Sequence, residues 1–162
     1  MNGLTLNRIA LNDPILKHSY IGCVLEEDVP MHYESNRFFI VNTENRIGVM
    51  GHWVMFFMSG SKLYFIDSFA RTPMFYGGQI NRYFNNYPQE KTYCPRTQVQ
   101  ADKSQYCGAF FLYFAYFLCK KYSCSRIMHR FYRNNLNCND KIVKTFIFKI
   151  TGINNSSILD HT

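Results

Sequence analysis

Hydrophobic and polar positions in the first half of the chain follow a pattern of short strands. Three stretches rich in β-branched and aromatic residues predict strands over residues 37–42, 52–58 and 62–67. The middle stretch, His-Trp-Val-Met-Phe-Phe-Met, is apolar on both faces, which is typical of a central strand covered by helices on either side. The segment Ser59-Gly60-Ser61 separates the last two stretches and predicts a hairpin turn.

The second half contains a longer apolar run, from Gly108 to Cys119, which predicts a buried helix that begins near Tyr106-Cys107. Either Ser104 or Asp102 is placed to cap its start. Weaker patterns predict three more elements, namely two helices and a final strand, over residues 79–85, 125–134 and 143–150 respectively. Together these elements predict an α+β fold with a central mixed β-sheet flanked by helices.

The bulk composition is that of a globular protein, and the length of 162 residues predicts a single domain over residues 1–162. The chain begins without the charged and then apolar pattern of a secretory signal, and its longest apolar run is too short to cross a bilayer. We therefore expect an intracellular monomer with no membrane partner. In such a protein the six cysteines are expected to be free thiols.

The formal net charge of +7 is concentrated in the second half of the chain, where basic residues outnumber acidic ones. A polycationic surface attracts nucleic acid by Coulomb forces and counterion release, although a basic face can equally serve solubility alone. The candidate DNA-binding residues follow the predicted buried helix: Lys120, Lys121, Arg126, Arg130 and Arg133.

His52 and Asp67 stand at the two ends of the predicted hairpin, and its register decides whether they meet. A loop of Ser59-Gly60 puts them directly opposite each other, and a loop of Gly60-Ser61, a type II′ candidate, puts them diagonally on one face. A three-residue loop would instead place them on opposite faces. In either two-residue register the carboxylate can accept the Nδ1 proton of the imidazole, fix its tautomer and favour its protonated form.

Cys107 is the candidate nucleophile for this base, because it lies where a polar loop gives way to the buried helix. Unpaired N–H groups and the helix dipole stabilise a thiolate there, and a protonated His52 would stabilise it further. Gly108 would let a substrate backbone approach the sulfur closely. Gln100 and the backbone N–H of Cys107 can supply two oxyanion-hole donors. Alone, each residue is more often structural, and only the order His, Asp, Gln, Cys-Gly favours an enzyme.

These residues resemble adenain, the adenovirus maturation protease family, within a wider group that includes the SUMO-specific proteases. The resemblance covers about residues 20–119 and does not extend into the segment after them. The acidic residue is Asp67, where the family more usually has Glu. The segments that carry the resemblance surround the candidate site: Phe39-Ile40-Val41-Asn42-Thr43 with the interval to His52-Trp53, Phe65-Ile66-Asp67-Ser68-Phe69, and Val99-Gln100 through Cys107-Gly108.

The resemblance implies a cysteine endopeptidase that cleaves viral precursor proteins after small, Gly-containing sites during virion maturation. It implies a five-stranded sheet flanked by helices, with the nucleophile at the N-terminus of a buried helix. No cofactor is required for the chemistry. Family members are stimulated by viral DNA and by a short capsid-derived peptide that forms a disulfide with a cysteine, and Cys94 lies in the corresponding region. The implied locations are the virion and the host nucleus.

Other functions fit parts of the pattern. SUMO-type isopeptidases share the order of residues, and His52-Trp53 and Asp67-Ser68 resemble their motifs, whereas Tyr106 stands where those enzymes usually carry Asp. Bacterial effector acetyltransferases share the catalytic logic as well. The remaining alternative is a non-enzymatic nucleic-acid-binding protein. It would hold zinc with four loosely spaced residues: Cys119, Cys124, His129 and Cys138.

Overall fold

Five strands form one mixed sheet in the computed structural model, which describes residues 1–44 and 51–152. The two inner pairings, β2 with β3 and β3 with β4, are antiparallel, while the outer strands pair in parallel. The predicted α+β class and central mixed sheet are therefore confirmed. The strands lie across the sheet in chain order: β1 (Tyr20–Leu25), β2 (Phe38–Asn42), β3 (Trp53–Ser59), β4 (Lys62–Ile66) and β5 (Thr92–Tyr93).

Helices flank this sheet, and six of them fall within the described ranges. Two match the sequence-based prediction closely, α3 and the apolar helix α4. The next predicted helix is shorter than expected, because the buried ring of Phe131 turns the chain back against Phe110 and Phe114 after α5 ends. The helices are α1 (Gly3–Asn12), α2 (Pro73–Tyr76), α3 (Gly78–Asn85), α4 (Cys107–Cys119), α5 (Cys124–Met128) and α6 (Leu136–Thr151).

The predicted final strand over residues 143–150 is wrong, because these residues belong to α6. Its buried positions Asn139, Val143 and Ile147 recur every four residues, which is the period of one helix face. The side chain of Asn135 caps the first turn by accepting from the backbone of Cys138. The β-branched and aromatic content that predicted a strand instead supplies the apolar face that packs against the core.

The two faces of β3 pack into separate apolar clusters. Met55 and Phe57 lie in the cluster that contains α4, whereas Val54, Phe56 and Met58 lie in the cluster that contains α3. The prediction of a central strand covered on both faces is thus confirmed. None of the described helices is long and apolar enough to cross a membrane.

Candidate active site

The β3–β4 hairpin uses the second of the two predicted registers. Ser59 pairs with Lys62, so Gly60-Ser61 is the loop. Gly60 has a φ of +59°, and the φ of Ser61 is not positive, as a type II′ turn requires. Extending this register places His52, just before β3, on the same face as Asp67, just after β4.

His52 and Asp67 are in direct contact across the end of the sheet, at 2.7 Å between Nε2 and Oδ1. The predicted proximity is therefore confirmed, but the predicted ring nitrogen is wrong, since Asp67 binds Nε2 and not Nδ1. Residues on a diagonal are farther apart than directly opposed ones, so the distal nitrogen makes the contact. Nδ1 is the ring nitrogen that remains for a second partner.

The carboxylate of Asp67 is the most completely bonded group of the site. Oδ1 accepts from His52 and from the backbone N–H of Phe69, at 3.0 Å for the second. Oδ2 accepts from the backbone N–H of Arg71 at 3.0 Å and from the hydroxyl of Tyr76 at 2.8 Å. Asp67 is only 3% exposed. A buried carboxylate with four donors has a fixed orientation.

Tyr76 was not identified from the sequence, because no motif links it to Asp67. Burial, followed by the negative charge of Asp67, raises the pKa of Tyr76 far above its ordinary value, so its hydroxyl stays protonated and donates. The guanidinium of Arg71 forms a hydrogen bond with Tyr76 and stacks on the rings of Phe69 and Phe75, with its carbon 5.1 and 4.7 Å from their centroids. These contacts brace Asp67 on the side away from His52.

His52 also interacts with the side chain of Cys107. Burial lowers the pKa of His52, but hydrogen bonds to Asp67 and Cys107 and the negative charges of both outweigh that effect and raise the pKa to about 9. The rings of Phe69 and Phe111 lie 4.9 and 6.3 Å from the imidazole, centroid to centroid. At neutral pH the imidazole is therefore protonated beside a thiol that can carry the matching negative charge.

Cys107 is the first residue of α4 and is 8% exposed. The N-cap is Tyr106, which makes no side-chain capping bond, so the predicted cap at Ser104 or Asp102 is wrong. The hydroxyl of Ser104 instead accepts from the backbone N–H of Tyr106, one residue before the helix begins. Because no side chain caps this end, N–H groups of the first turn are left to stabilise negative charge at Cys107.

Gly108 has a different role from the one predicted. A Cβ at this position would come within 2.8 Å of a side-chain carbon of Leu6 in α1. The space beside Gly108 is therefore filled by the protein, and the missing side chain lets α1 pack against the start of α4. Met1 lies in the same region, where its carbonyl accepts from the indole N–H of Trp53 at 3.2 Å.

Gln100 is 1% exposed, and both ends of its amide are engaged. The hydroxyl of Ser68 donates to Oε1 at 2.5 Å, and Nε2 donates to the carbonyl of Ser104 at 2.6 Å. The carbonyl of Ser68 also accepts from the backbone N–H groups of Val99 and Gln100, which ties this loop to the turn after β4. One N–H of the amide remains for an oxyanion, and the buried amide is bonded to Ser104 of the loop over residues 101–106.

Helix α6 holds the Gln100 loop from behind, which the sequence did not indicate. The amide of Asn139, fully buried, donates to the carbonyls of Val99 and Tyr132 at 2.9 and 2.8 Å. Asp140 bonds the side chain of Ser104 and the backbone of Ala101, on the other side of Gln100. Burial raises the pKa of Asp140 despite these bonds. An open polar cleft of about 900 Å³ lies between this loop and the start of α6.

Cys94 lies close to the site but is a poorly activated thiol. Burial raises its pKa to about 11, an effect that the charge of Arg96 reduces and that of Asp67 reinforces. Its sulfur lies 3.9 Å from the carbonyl of Arg71. At neutral pH the thiol form dominates, which slows disulfide exchange at this position. All six cysteines of the chain are free.

The five predicted DNA-binding residues have different contacts in the structure. Arg126 and Arg130 both stack on the ring of Tyr122, at 4.4 and 5.0 Å. Lys121 donates to Asn36, and Arg133 lines a separate cavity beside α5. Lys120 lies over Tyr116.

The four residues of the zinc alternative do not form a metal site. In residues 1–44 and 51–152, no group of three or more His, Cys, Asp or Glu side chains could hold a metal ion.

Neither a family model nor a curated protein matches the chain. Its function must therefore be inferred from the chemistry of the residues just described. The arrangement joins a buried carboxylate, a protonated imidazole and a thiol at a helix N-terminus, beside an amide with one N–H to spare. Such a set can perform nucleophilic acyl transfer.

Proposed function

We propose that the protein is a cysteine endopeptidase with Cys107 as nucleophile, His52 as general base and acid, Asp67 as the group that orients the imidazole, and Gln100 as an oxyanion-hole donor. The observation that carries the proposal is the continuous contact from Asp67 through Nε2 of His52 to the thiol of Cys107 at the start of α4. Three independent chain segments supply these groups. A purely structural histidine would not need a thiol as its second partner.

In each step of the proposed reaction, a named residue transfers the proton or stabilises the charge that develops. The thiolate of Cys107 attacks the scissile carbonyl carbon, and the oxyanion accepts from the backbone N–H of Cys107 and the side-chain amide of Gln100. His52 protonates the leaving amine as the C–N bond breaks, which leaves a thioester on Cys107. Water then attacks the thioester while His52 accepts its proton. The acid product departs, and the thiolate of Cys107 beside a protonated His52 is restored.

The resemblance to adenain supports viral precursor proteins as substrates and small, Gly-containing sites as the points of cleavage. The same resemblance implies activity in the virion and the host nucleus. DNA is the proposed macromolecular partner, because Arg126 and Arg130 present two guanidinium groups over Tyr122 on one surface. Stimulation by DNA should then disappear as salt concentration rises. Cys94 stays a candidate attachment point for an activating peptide.

Labelling with a thiol-directed peptide electrophile tests the proposal directly. The wild-type chain should be labelled once, at Cys107, and Cys107→Ala should abolish that labelling. His52→Ala should reduce the labelling rate strongly, because the thiolate loses its cationic partner. Cys94→Ala is the control, since it removes a half-buried thiol outside the proposed catalytic residues and should leave labelling unchanged. Labelling that persists in Cys107→Ala would overturn the assignment of the nucleophile.

A further inference from the structure

A cavity of about 210 Å³ borders the segment that leads to Gln100, and none of the four residues of the proposed reaction lines it. One wall is the segment that runs from β5 towards Gln100, and it contributes Arg96. The other wall is α5 and the turn after it, which contribute His129 and Arg133. Three side chains that carry or can carry positive charge therefore meet at one small cavity.

No carboxylate lines this cavity, and its positive charge has no compensation in the described part of the chain. Neither Arg96 nor Arg133 forms an ion pair with any residue in ranges 1–44 and 51–152. By contrast, Arg126 and Arg130, on the same helical segment as His129, are stacked on aromatic rings. An anion bound between the two walls could accept charge-assisted hydrogen bonds from a guanidinium group on each wall.

The polar lining suits an anion with several oxygen atoms. Nδ1 of His129 donates to the carbonyl of Ser125 at 2.7 Å, which leaves Nε2 as the nitrogen for a ligand. Hydroxyl groups line the same cavity and can donate to phosphate or carboxylate oxygens. They belong to Tyr93, Thr97, Ser125 and Tyr132.

The two walls are tied together by one buried amide. Asn139 donates to the carbonyl of Val99 on the first wall and exchanges two hydrogen bonds with the backbone of Tyr132 on the second. Val99 precedes Gln100 directly. A ligand that draws the two walls together will therefore act on the backbone that holds the oxyanion-hole donor.

We propose that this cavity binds an anionic group, a phosphate or a carboxylate, and that its occupancy controls the position of the Gln100 loop. The binding follows from the cavity alone, whereas the control of activity rests on the proposed function. Because Gln100 is buried beneath its own loop, a ligand that moves the Val99 backbone changes access to its free N–H. The anion would then be an effector of the peptidase.

Calorimetric titration of the whole chain with inorganic phosphate, at constant ionic strength, tests the binding. Saturable binding is expected, and Arg96→Gln and Arg133→Gln should each weaken it at least about tenfold, since each removes charge-assisted hydrogen bonds. Arg82→Gln is the matched control, because it removes the same charge from α3, where the guanidinium donates to the side chain of Gln79, and it should leave binding unchanged. A parallel titration with citrate distinguishes carboxylate from phosphate ligands.

Equal weakening in Arg82→Gln would indicate diffuse attraction and overturn the site, as would the absence of binding by both anions. The second measurement is the rate of peptide hydrolysis with and without phosphate, in wild type and in Arg96→Gln. Phosphate should change kcat only in the wild type, and an unchanged kcat would overturn the regulatory role. Failure of Cys107 labelling would instead refute the peptidase while leaving the binding result valid.

Discussion

His52 and Asp67 are brought together by a two-residue hairpin loop and need only local chain geometry. The loop that carries Gln100 is instead held by a helix, through a hydrogen bond from Asn139 to Val99 that spans 40 positions of the chain. His52 and Asp67 form the acid–base half of the site. Its contacts are already complete, since both carboxylate oxygens of Asp67 are hydrogen-bonded and His52 interacts with Cys107. The amide of Gln100, in contrast, is engaged with Ser68 and Ser104. In the proposed reaction, proton transfer therefore relies on groups that the hairpin already holds in contact, whereas oxyanion stabilisation relies on a residue carried by a loop.

This difference predicts that the two halves respond differently to substitution. Substitutions of His52 or Asp67 should lower the rate of hydrolysis for every substrate and under every assay condition. Changes to the oxyanion half should appear mainly in kcat, because the free N–H of Gln100 bonds only a developing negative charge.

The largest effect is expected for Asp67→Asn. An amide at this position cannot accept on both atoms, so the buried His52 loses its charged partner while Arg71 and Tyr76 lose an acceptor. We expect kcat/KM for peptide hydrolysis to fall on the order of 10³-fold or more. The same exchange at Asp28→Asn, in an exposed 3₁₀ turn, is the control and should change nothing. A loss below tenfold would mean that Asp67 does not orient the base.

Gln100→Ala should cost about 100- to 1000-fold in kcat with little change in KM. The loss is that expected for the removal of one oxyanion-hole donor. Gln89→Ala, on the surface, is the matched control and should leave kcat unchanged. Steady-state kinetics on one peptide in both variants measures the split between kcat and KM. If kcat were unchanged while stability fell, Gln100 would be a structural residue that only joins Ser68 to Ser104.

The raised pKa of His52 predicts a stability that depends on pH. The folded state holds the imidazole proton up to about pH 9, whereas the unfolded chain releases it near 6.5. A raised pKa contributes stability that is complete below pH 6.5 and is lost as pH rises to about 9, by roughly 3 kcal/mol for the full shift. Urea unfolding at several pH values should show this decline in the wild type and a flatter profile in His52→Gln. Parallel curves for the two proteins would contradict the pKa assignment.

Tyr76→Phe should have the smallest effect, about a tenfold loss of kcat/KM, because one of the four donors to Asp67 disappears. The carboxylate becomes more negative towards His52, so the alkaline limb of the pH–rate profile should move to higher pH. Tyr87→Phe removes a hydroxyl that bonds the carbonyl of Ser61 and serves as the control. A pH profile that does not move would assign Tyr76 to stability alone.

The sequence was sufficient for the features that depend on local pattern. The apolar run of α4, the strands β2 to β4 and the placement of His52 and Asp67 on one face follow from residue spacing and a two-residue turn, whereas the choice between the opposed and the diagonal register comes from the structure. The resemblance implied five strands, but composition alone did not identify α1, β1 or β5. Strand β5 has only two residues, Thr92 and Tyr93, so its pattern is too short to detect.

The features that were missed depend on distant contacts. Helix α6 carries residues with strand-like composition, and only the spacing of its buried positions and its caps distinguish it. Asn139 and Tyr76 act on residues from which they are separated in sequence, so no local motif marks them. The space beside Gly108 was expected to admit a substrate backbone, and the sequence gives no sign that the side chain of Leu6 fills it.

Asp67 has a second role that limits which residues can replace it. The same carboxylate that binds His52 also closes its own turn, by accepting from the backbones of Phe69 and Arg71, and Ala70 adopts a φ of +60° within that turn. A glutamate would carry its oxygens one methylene further out and could not serve both the ring and the turn. Anyone who exchanges the acid for its longer homologue must therefore rebuild the loop that follows it.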